Sequence, residues 1–132
     1  MTITSHLEIP LGDTWHSKRW ALVVGGEVID LTDGWTVRAQ VRAPFMGGTS
    51  VLHEWTTEDG GVELGTAEFE VAGTPVTGAT MRLRIGASES QSMAEWYGVW
   101  DLEVSHPTFD NGELWRKTLV SGSARARADV TR

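Results

Sequence analysis

The most regular pattern in the chain is the alternation of apolar and charged residues over positions 97–104. The apolar members share one parity and the carboxylates share the other: Trp100, Leu102 and Val104 against Asp101 and Glu103. Successive side chains of a β-strand point to opposite faces of its sheet, so the segment predicts a strand with one buried face and one solvent-facing face. We expect the buried face to lie opposite a similar face formed by Trp35, Val37 and Val41.

Similar strand-like patterns recur along most of the chain. They predict further strands at residues 15–24, 28–31, 35–41, 51–57, 62–64, 67–71, 81–85 and 114–120. Asp33-Gly34 and Asn111-Gly112 are tight-turn signals, because both residue types in each pair tolerate positive φ. Residues 73–78 include Pro75 and are predicted to form a loop. About seven to nine short strands, with no room for a βαβ crossover, predict an all-β fold, a sandwich in preference to a barrel.

One segment, residues 88–95, lacks this alternation and has few β-branched residues. Ser88 and Gln91 have the spacing of a capping box, in which each side chain satisfies the other residue's backbone N–H. The segment therefore predicts one or two helical turns just before the most regular strand.

The length of 132 residues corresponds to one domain, residues 1–132. Residues 1–12 alternate weakly and are predicted to form an N-terminal arm or an edge strand. Residues 121–132 are predicted to form a C-terminal strand or a tail.

Composition narrows the classes of partner. The net charge of -7 argues against general nucleic-acid binding, which needs a basic surface. The chain has no cysteine, so disulfides and cysteine-ligated metal sites are excluded. We expect synthesis in the cytoplasm and no association with a membrane, because the sequence shows neither a signal-peptide pattern nor an apolar run of about 20 residues.

Candidate catalytic groups are few. Glu68 with Glu70, and Asp101 with Glu103, are carboxylate pairs that share a strand face. A glycosidase is the enzymatic interpretation, but two carboxylates on one strand do not face each other across a substrate. We interpret them instead as solvated sheet faces, paired with arginines of neighbouring strands, either Arg82 and Arg84 or Arg125 and Arg127.

The histidines suggest no metal site. The chain has four, at positions 6, 16, 53 and 106, and no two have the spacing of metal ligands. We interpret all four as surface or turn residues. No catalytic, cofactor-binding or metal-binding residue is assigned.

Tryptophan is in surplus, with seven residues against one tyrosine. Trp35 and Trp100 lie on apolar strand faces and are predicted to be in the core. The others point to a protein interface, where tryptophan is enriched, or to a carbohydrate-binding platform. The candidate contact residues are the less determined tryptophans and the arginines near the C-terminal end: Trp15, Trp55, Trp96, Trp115, Arg125, Arg127 and Arg132.

Several segments together resemble a family of small phage tail and baseplate proteins. They are residues 29–42, which read IDLTDGWTVRAQVR, residues 97–104, which read YGVWDLEV, and the closing stretches LVSGSA at 119–124 and DVTR at 129–132. The expected helical turn at 88–95 also matches the family. The chain departs from it at 124–128, where Ala and Arg alternate in place of β-branched residues, so a looser last strand is expected.

The resemblance implies an immunoglobulin-like β-sandwich without catalytic activity. It implies a structural component of the virion tail or baseplate, a minor tail protein that contacts other copies of itself and neighbouring tail proteins. The alternative function is a carbohydrate-binding domain that recognises a host surface glycan.

Overall fold

Strands account for most of the chain in a computed structural model, which describes residues 2–44 and 50–128. In chain order they are β1 (Ile3–Thr4), β2 (Leu7–Leu11), β3 (Trp15–His16), β4 (Val23–Val24), β5 (Glu27–Val28), β6 (Thr36–Arg42), β7 (Val51–Thr56), β8 (Val62–Val71), β9 (Thr74–Ile85), β10 (Trp96–Asp110) and β11 (Glu113–Ala128). One helix, α1 (Ala87–Ser92), lies between β9 and β10. The all-β prediction is confirmed, and so is a short helix before the most regular strand.

The larger sheet is built around β10. This strand pairs antiparallel with β11 on one side and with β6 on the other, and β6 pairs antiparallel with β7. On the far edge of β11, β1 and β2 follow one another in parallel, with Ile3 beside Val120 and Leu7 beside Ala124. The segment that includes Ala124 is thus paired on both edges, and the looser last strand is not seen up to Ala128.

The smaller sheet has the order β3-β9-β8, and β4 and β5 form a separate two-stranded hairpin. In β9, every second residue from Met81 to Ile85 is fully buried: Met81, Leu83 and Ile85. In the larger sheet, the buried residues include Val37, Val41, Leu102 and Val104. All of them belong to one hydrophobic cluster, to which both sheets contribute.

The register corrects one expectation about this core. Trp100 lies beside Val41, and Val104 lies beside Val37, on adjacent strands of the same sheet. The apolar faces of β10 and β6 are therefore neighbours and do not lie opposite each other. Period-two alternation places side chains on a common face but carries no information about which sheet a strand joins.

Tryptophan rings connect the two sheets. Trp20 forms an isolated antiparallel bridge with Met81 of β9, and its ring centroid is 5.7 Å from that of Trp100 in β10. The ring centroid of Trp15 in β3 is likewise 6.3 Å from that of Trp55 in β7. Such tilted aromatic contacts add to the free energy gained from burying the rings. Trp100 is buried, as predicted.

The N-terminal segment is attached through Trp100. Gly122 lies across the ladder from Trp100, and the indole Nε1–H donates a hydrogen bond of 2.9 Å to the carbonyl oxygen of Ser5 on the far side of β11. The backbone N–H of Ser5 donates at 2.9 Å to the carbonyl of Ser121. A Cβ atom on Gly122 would overlap the carbonyl of Ser5, so this close approach requires glycine.

Some strand boundaries differ from the prediction. The structure has eleven strands in its described part, more than seven to nine, because four of them are two-residue strands. Residues 15–24 divide into β3, the Trp20 bridge and β4. Residues 62–64 and 67–71 merge into β8, and residues 28–31 form a strand only at the Val28 end.

The predicted loop at residues 73–78 is wrong. Ala72 and Gly73, with φ values of 51° and 83°, make a tight turn, and β9 begins immediately after it at Thr74. Pro75 is accommodated because β3 pairs with β9 only at Arg84 and Ile85, which leaves the start of β9 with β8 on one side. Proline is tolerated where the missing N–H would face away from a ladder.

The capping box predicted for α1 is also wrong. The N-cap is Gly86, and it makes no side-chain capping bond. Within the helix, Ser90 is 1% exposed, and its hydroxyl accepts a hydrogen bond of 2.7 Å from the backbone N–H of Gly12. Ser90, and not the predicted capping residue Ser88, therefore joins the helix to the end of β2.

We expect Gly122→Ala to destabilise the fold, because the added methyl group would displace Ser5 and strain its bond to Trp100. Overpacking of this kind lowers the free energy of unfolding by about 1–3 kcal/mol. Urea denaturation followed by tryptophan fluorescence measures the change. Gly65→Ala in β8 is the matched control, since its nearest neighbour is the flexible end of Arg19. Equal stability of the two variants would contradict the assigned role of Gly122.

Candidate functional site

The described residues enclose a small polar recess at one end of β7, which we call the histidine recess. It has a volume of about 160 Å³ and is lined by His53, Glu54, Trp55, Asp59, Gly60, Gly61, Arg84 and Glu89. Its walls therefore come from β7, the turn that follows it, the end of β9 and helix α1.

Three of the four candidate tryptophans belong to one aromatic cluster with His53. The His53 ring centroid is 4.5 Å from that of Trp55 in an edge-to-face contact and 6.3 Å from that of Trp96 in a stacked contact. Trp15 joins the cluster through its contact with Trp55. The structure thus brings Trp15, Trp55 and Trp96 together, although they come from β3, β7 and β10.

Trp55 does not fit the expectation of an exposed contact residue. It is 1% exposed, because it faces the core from β7 between Trp15 and His53. Its indole nitrogen is buried and has no hydrogen-bond partner among the described residues. Trp15 and Trp96 are half-buried and pack against the core.

A rigid turn forms the floor beside Trp55. The Oδ1 atom of Asp59 accepts hydrogen bonds from the backbone N–H groups of Thr56, at 3.2 Å, and Gly61, at 2.7 Å. The hydroxyl of Thr56 accepts in return from the N–H of Asp59 at 3.1 Å. These local bonds are typical of aspartate and threonine in turns. They hold Gly61 against the Trp55 ring.

His53 is the titratable group at the centre of the recess. Its side chain is 12% exposed, and burial lowers the pKa of the imidazole below its ordinary value of 6.5. The carboxylates of Glu89 and Asp59 have the opposite effect and raise the pKa of His53. An oxygen of Glu89 lies 3.9 Å from Nε2. Burial is the larger effect, so the neutral imidazole is favoured.

His53 was not predicted as a functional residue, and its assignment as a surface or turn histidine is wrong. A signal was present in the sequence, because His53 shares its strand parity with Trp55. The other recess residues gave no such signal. Asp59, Arg84 and Glu89 are separated along the chain and meet only through the packing of β7, β9 and α1.

The fourth candidate, Trp115, belongs to a different aromatic cluster, which we call the hairpin patch: Trp35, His106, Phe109 and Trp115. It lies at the end of the β10–β11 hairpin, and the Trp35 centroid is 4.9 Å from Phe109 and 5.5 Å from Trp115. Phe109 is 39% exposed, and Leu114 of the same hairpin is 55% exposed. Trp35, predicted in the core, is half-buried and packs against it.

The candidate arginines of β11 already have a partner within the chain. Arg125 and Arg127 lie 3.9 Å and 3.3 Å from the carboxylate of Glu8, which also bonds to His6 at 2.9 Å. The His6 hydrogen bond and then the two guanidinium groups lower the pKa of Glu8. Both arginines remain exposed. Arg132 lies outside the described residues.

One member of the carboxylate pairs, Glu103, has ion-pair partners other than those expected. Glu103 lies 3.4 Å from Arg116 and 4.0 Å from Arg38, on the two strands that flank β10. The expected partners of the pairs, Arg82 and Arg84, instead contact Glu63, at 2.7 Å and 3.5 Å. These are cross-strand ion pairs on exposed sheet faces, each of small energetic value.

The described part of the chain lacks two further features, a cluster of metal-ligating side chains and a membrane-spanning helix. No group of three or more histidine, aspartate or glutamate residues within it has an arrangement that could hold a metal ion. No helix in residues 2–44 and 50–128 has the length and apolar character to cross a membrane.

Comparison with known proteins gave no match: no protein-family model fits the chain, and neither the curated proteins nor the solved structures contain a significant relative.

We expect His53 to make stability depend on pH. Because its pKa is lowered in the folded state, the unfolded chain binds the proton more tightly, and protonation favours unfolding. Its contribution is complete above the unfolded pKa of about 6.5 and is lost as the pH falls through the lower, folded value. Urea denaturation at pH 7.5 and 5.5 should show a smaller loss in His53→Phe than in the unsubstituted protein.

The matched control is His16→Phe, which removes an exposed histidine of β3. It should change the pH dependence less than His53→Phe does, because it removes no buried imidazole. If His53→Phe loses as much stability on acidification as the unsubstituted protein, the buried imidazole is not the group that titrates.

Proposed function

We propose that this chain is a structural subunit of a phage tail or baseplate, a minor tail protein that acts through self-association and contacts with neighbouring tail proteins. It works without catalysis and resides in the virion after synthesis in the host cytoplasm. The sequence segments that resemble this protein family are the first support. The geometry of the hairpin patch is the observation that carries the proposal.

The hairpin patch is suited to protein contact. Phe109 and Leu114 expose apolar surface beside half-buried tryptophans, and aromatic residues are enriched at protein interfaces relative to the rest of the surface. The mutual ring contacts of Trp35, Phe109 and Trp115 fix their positions before any partner binds. A pre-ordered surface loses less conformational entropy on association.

A second exposed surface lies on the outer face of β10. Tyr97 and Val99 are 56% and 46% exposed, and Val99 lies between Arg42 of β6 and Ser123 of β11. The proposed immunoglobulin-like sandwich is supported by two sheets that share one core. In such a fold, a hairpin end and an outer sheet face are separate surfaces and can contact different neighbours. Two separate contact surfaces are what a subunit of a repeating assembly needs.

We expect Phe109→Ser to weaken self-association, because it removes exposed aromatic surface from the hairpin patch. Loss of a hot-spot aromatic residue lowers an association constant by at least about tenfold. Sedimentation velocity over a concentration series measures this. Val23→Ser is the matched control, because it removes an exposed apolar side chain from the separate β4–β5 hairpin.

The proposal also requires the protein in assembled particles. Mass spectrometry of purified tails should detect it in stoichiometric amounts, and incorporation of Phe109→Ser should fall. A protein that stays monomeric at all concentrations and is missing from purified tails would overturn the proposal.

A further inference from the structure

We propose that the end of the β10–β11 hairpin of one copy enters an apolar groove on a second copy, so that copies join head to tail. The groove, which we call the arginine groove, has a volume of about 450 Å³ and is lined by residues of β1, β8, β9 and the segment before β4, including Arg19. We call residues 109–114 the hairpin tip. This inference rests on the self-association proposed above for the hairpin patch, and it identifies the surface that the patch contacts.

The hairpin tip projects from the larger sheet. The pairing of β10 with β6 ends at Ser105, and β1 pairs with β11 at Val120 and Ser121. Among the described strands, the end of the hairpin therefore consists of β10 and β11 alone. A two-stranded hairpin has little stability of its own in water. Phe109 and Leu114, which are 39% and 55% exposed, would stabilise it by packing on an apolar surface.

The arginine groove offers such a surface. Five of its eight lining residues are apolar, namely Ile3, Trp20, Ala21, Ala67 and Phe69. A cavity of about 150 Å³ accommodates benzene. The volume of the groove, about 450 Å³, therefore leaves room for an aromatic ring and an aliphatic side chain together. Aromatic rings on both sides of a contact also favour tilted ring packing.

Arg19 gives the groove a cation without a carboxylate partner. Its side chain is exposed, and its one interaction in the described part of the chain is a hydrogen bond of 3.4 Å from Nη1 to the hydroxyl of Thr80. Glu68 also lines the groove, but it forms no ion pair with Arg19 within residues 2–44 and 50–128. The guanidinium is therefore available to a carboxylate from outside the chain.

The hairpin tip carries the complementary charge. Asp110 and Glu113 are exposed and lie directly opposite each other across the ladder, on either side of the Asn111-Gly112 turn. Like charges in this arrangement destabilise a hairpin. A guanidinium beside them would offset the repulsion through charge-assisted hydrogen bonds. Apolar surface and opposite charge thus match between the tip of one copy and the groove of the next.

Charge also distinguishes this contact from a two-fold contact between two tips. In a two-fold interface the same patch meets itself, so two pairs of Asp110 and Glu113 would be brought together, and like-charge contacts of this kind are unfavourable. The tip and the groove share no residue, so each copy can use both at once. Head-to-tail contacts of this type generate rings or filaments.

Mixing two variants tests the head-to-tail geometry. Phe109→Ser damages the tip and keeps the groove, whereas Arg19→Glu reverses the charge in the groove and keeps the tip. Each variant alone should associate at least about tenfold more weakly than the unsubstituted protein. In an equimolar mixture, the intact tip of Arg19→Glu can enter the intact groove of Phe109→Ser. Sedimentation velocity should then show a dimer and no larger species.

The matched control is Lys18→Glu. It makes the same change of charge at an adjacent exposed residue that does not line the groove. This variant should associate as the unsubstituted protein does.

Cross-linking provides a second test that does not depend on the folding of Arg19→Glu. The chain has no cysteine, so Leu114→Cys and Ala67→Cys each introduce a single thiol, one in the tip and one in the groove. With a short bismaleimide cross-linker, a mixture of the two variants should give a covalent dimer that contains one copy of each. Neither variant alone should be cross-linked.

Three results would overturn the head-to-tail contact. They are an Arg19→Glu variant that associates normally, a mixture that associates no better than its components, and a Leu114→Cys variant that is cross-linked to itself. Each of them leaves the self-association of the hairpin patch intact. An unsubstituted protein that stays monomeric would instead remove the self-association and this inference together.

Discussion

Trp100 is the side chain on which the rest of the structure depends. It lies in the central strand of the larger sheet, it contacts Trp20, which bridges to β9 in the smaller sheet, and its N–H holds the carbonyl of Ser5. One indole therefore connects both sheets and the N-terminal segment. Burial of a ring of this size contributes a large apolar area, and its polar edge is satisfied at the same time.

Much of the strand content is predictable from the sequence. Alternation identifies β6, β7 and β10 because each has one face in the core and one in solvent. The alternation cannot show that Trp100 and Val41 lie side by side in one sheet, because the parity is the same whether two strands pair or face each other. The start of β9 could not be predicted for another reason. Proline favours a loop unless one edge of its strand is known to be unpaired, and the sequence does not show which edges are paired.

The candidate site is predictable only in part. Tryptophan surplus draws attention to Trp15, Trp55 and Trp96, which the structure brings together, and β7 places His53 and Trp55 on one face. Whether such residues are buried depends on what packs above them, which sequence alternation does not specify. The contributions of Gly61, Arg84 and Glu89 arise from tertiary packing alone, as do the partners of Glu8 and Glu103.

The parallel docking of β1 and β2 on β11 has a consequence for the order of folding. His6 and Ser123 are 117 positions apart in sequence, and they meet at a hydrogen bond between strands that lie side by side. Closing so large a loop costs conformational entropy, and this cost is offset only when the strands have paired. Long-range pairing of this kind slows folding. β2 is synthesised long before β11, so Leu7 and Ile9 have no sheet partner until nearly the whole described chain has been made. Completion of the larger sheet is therefore a late event, because β1 and β2 can pair only after β11 has been made.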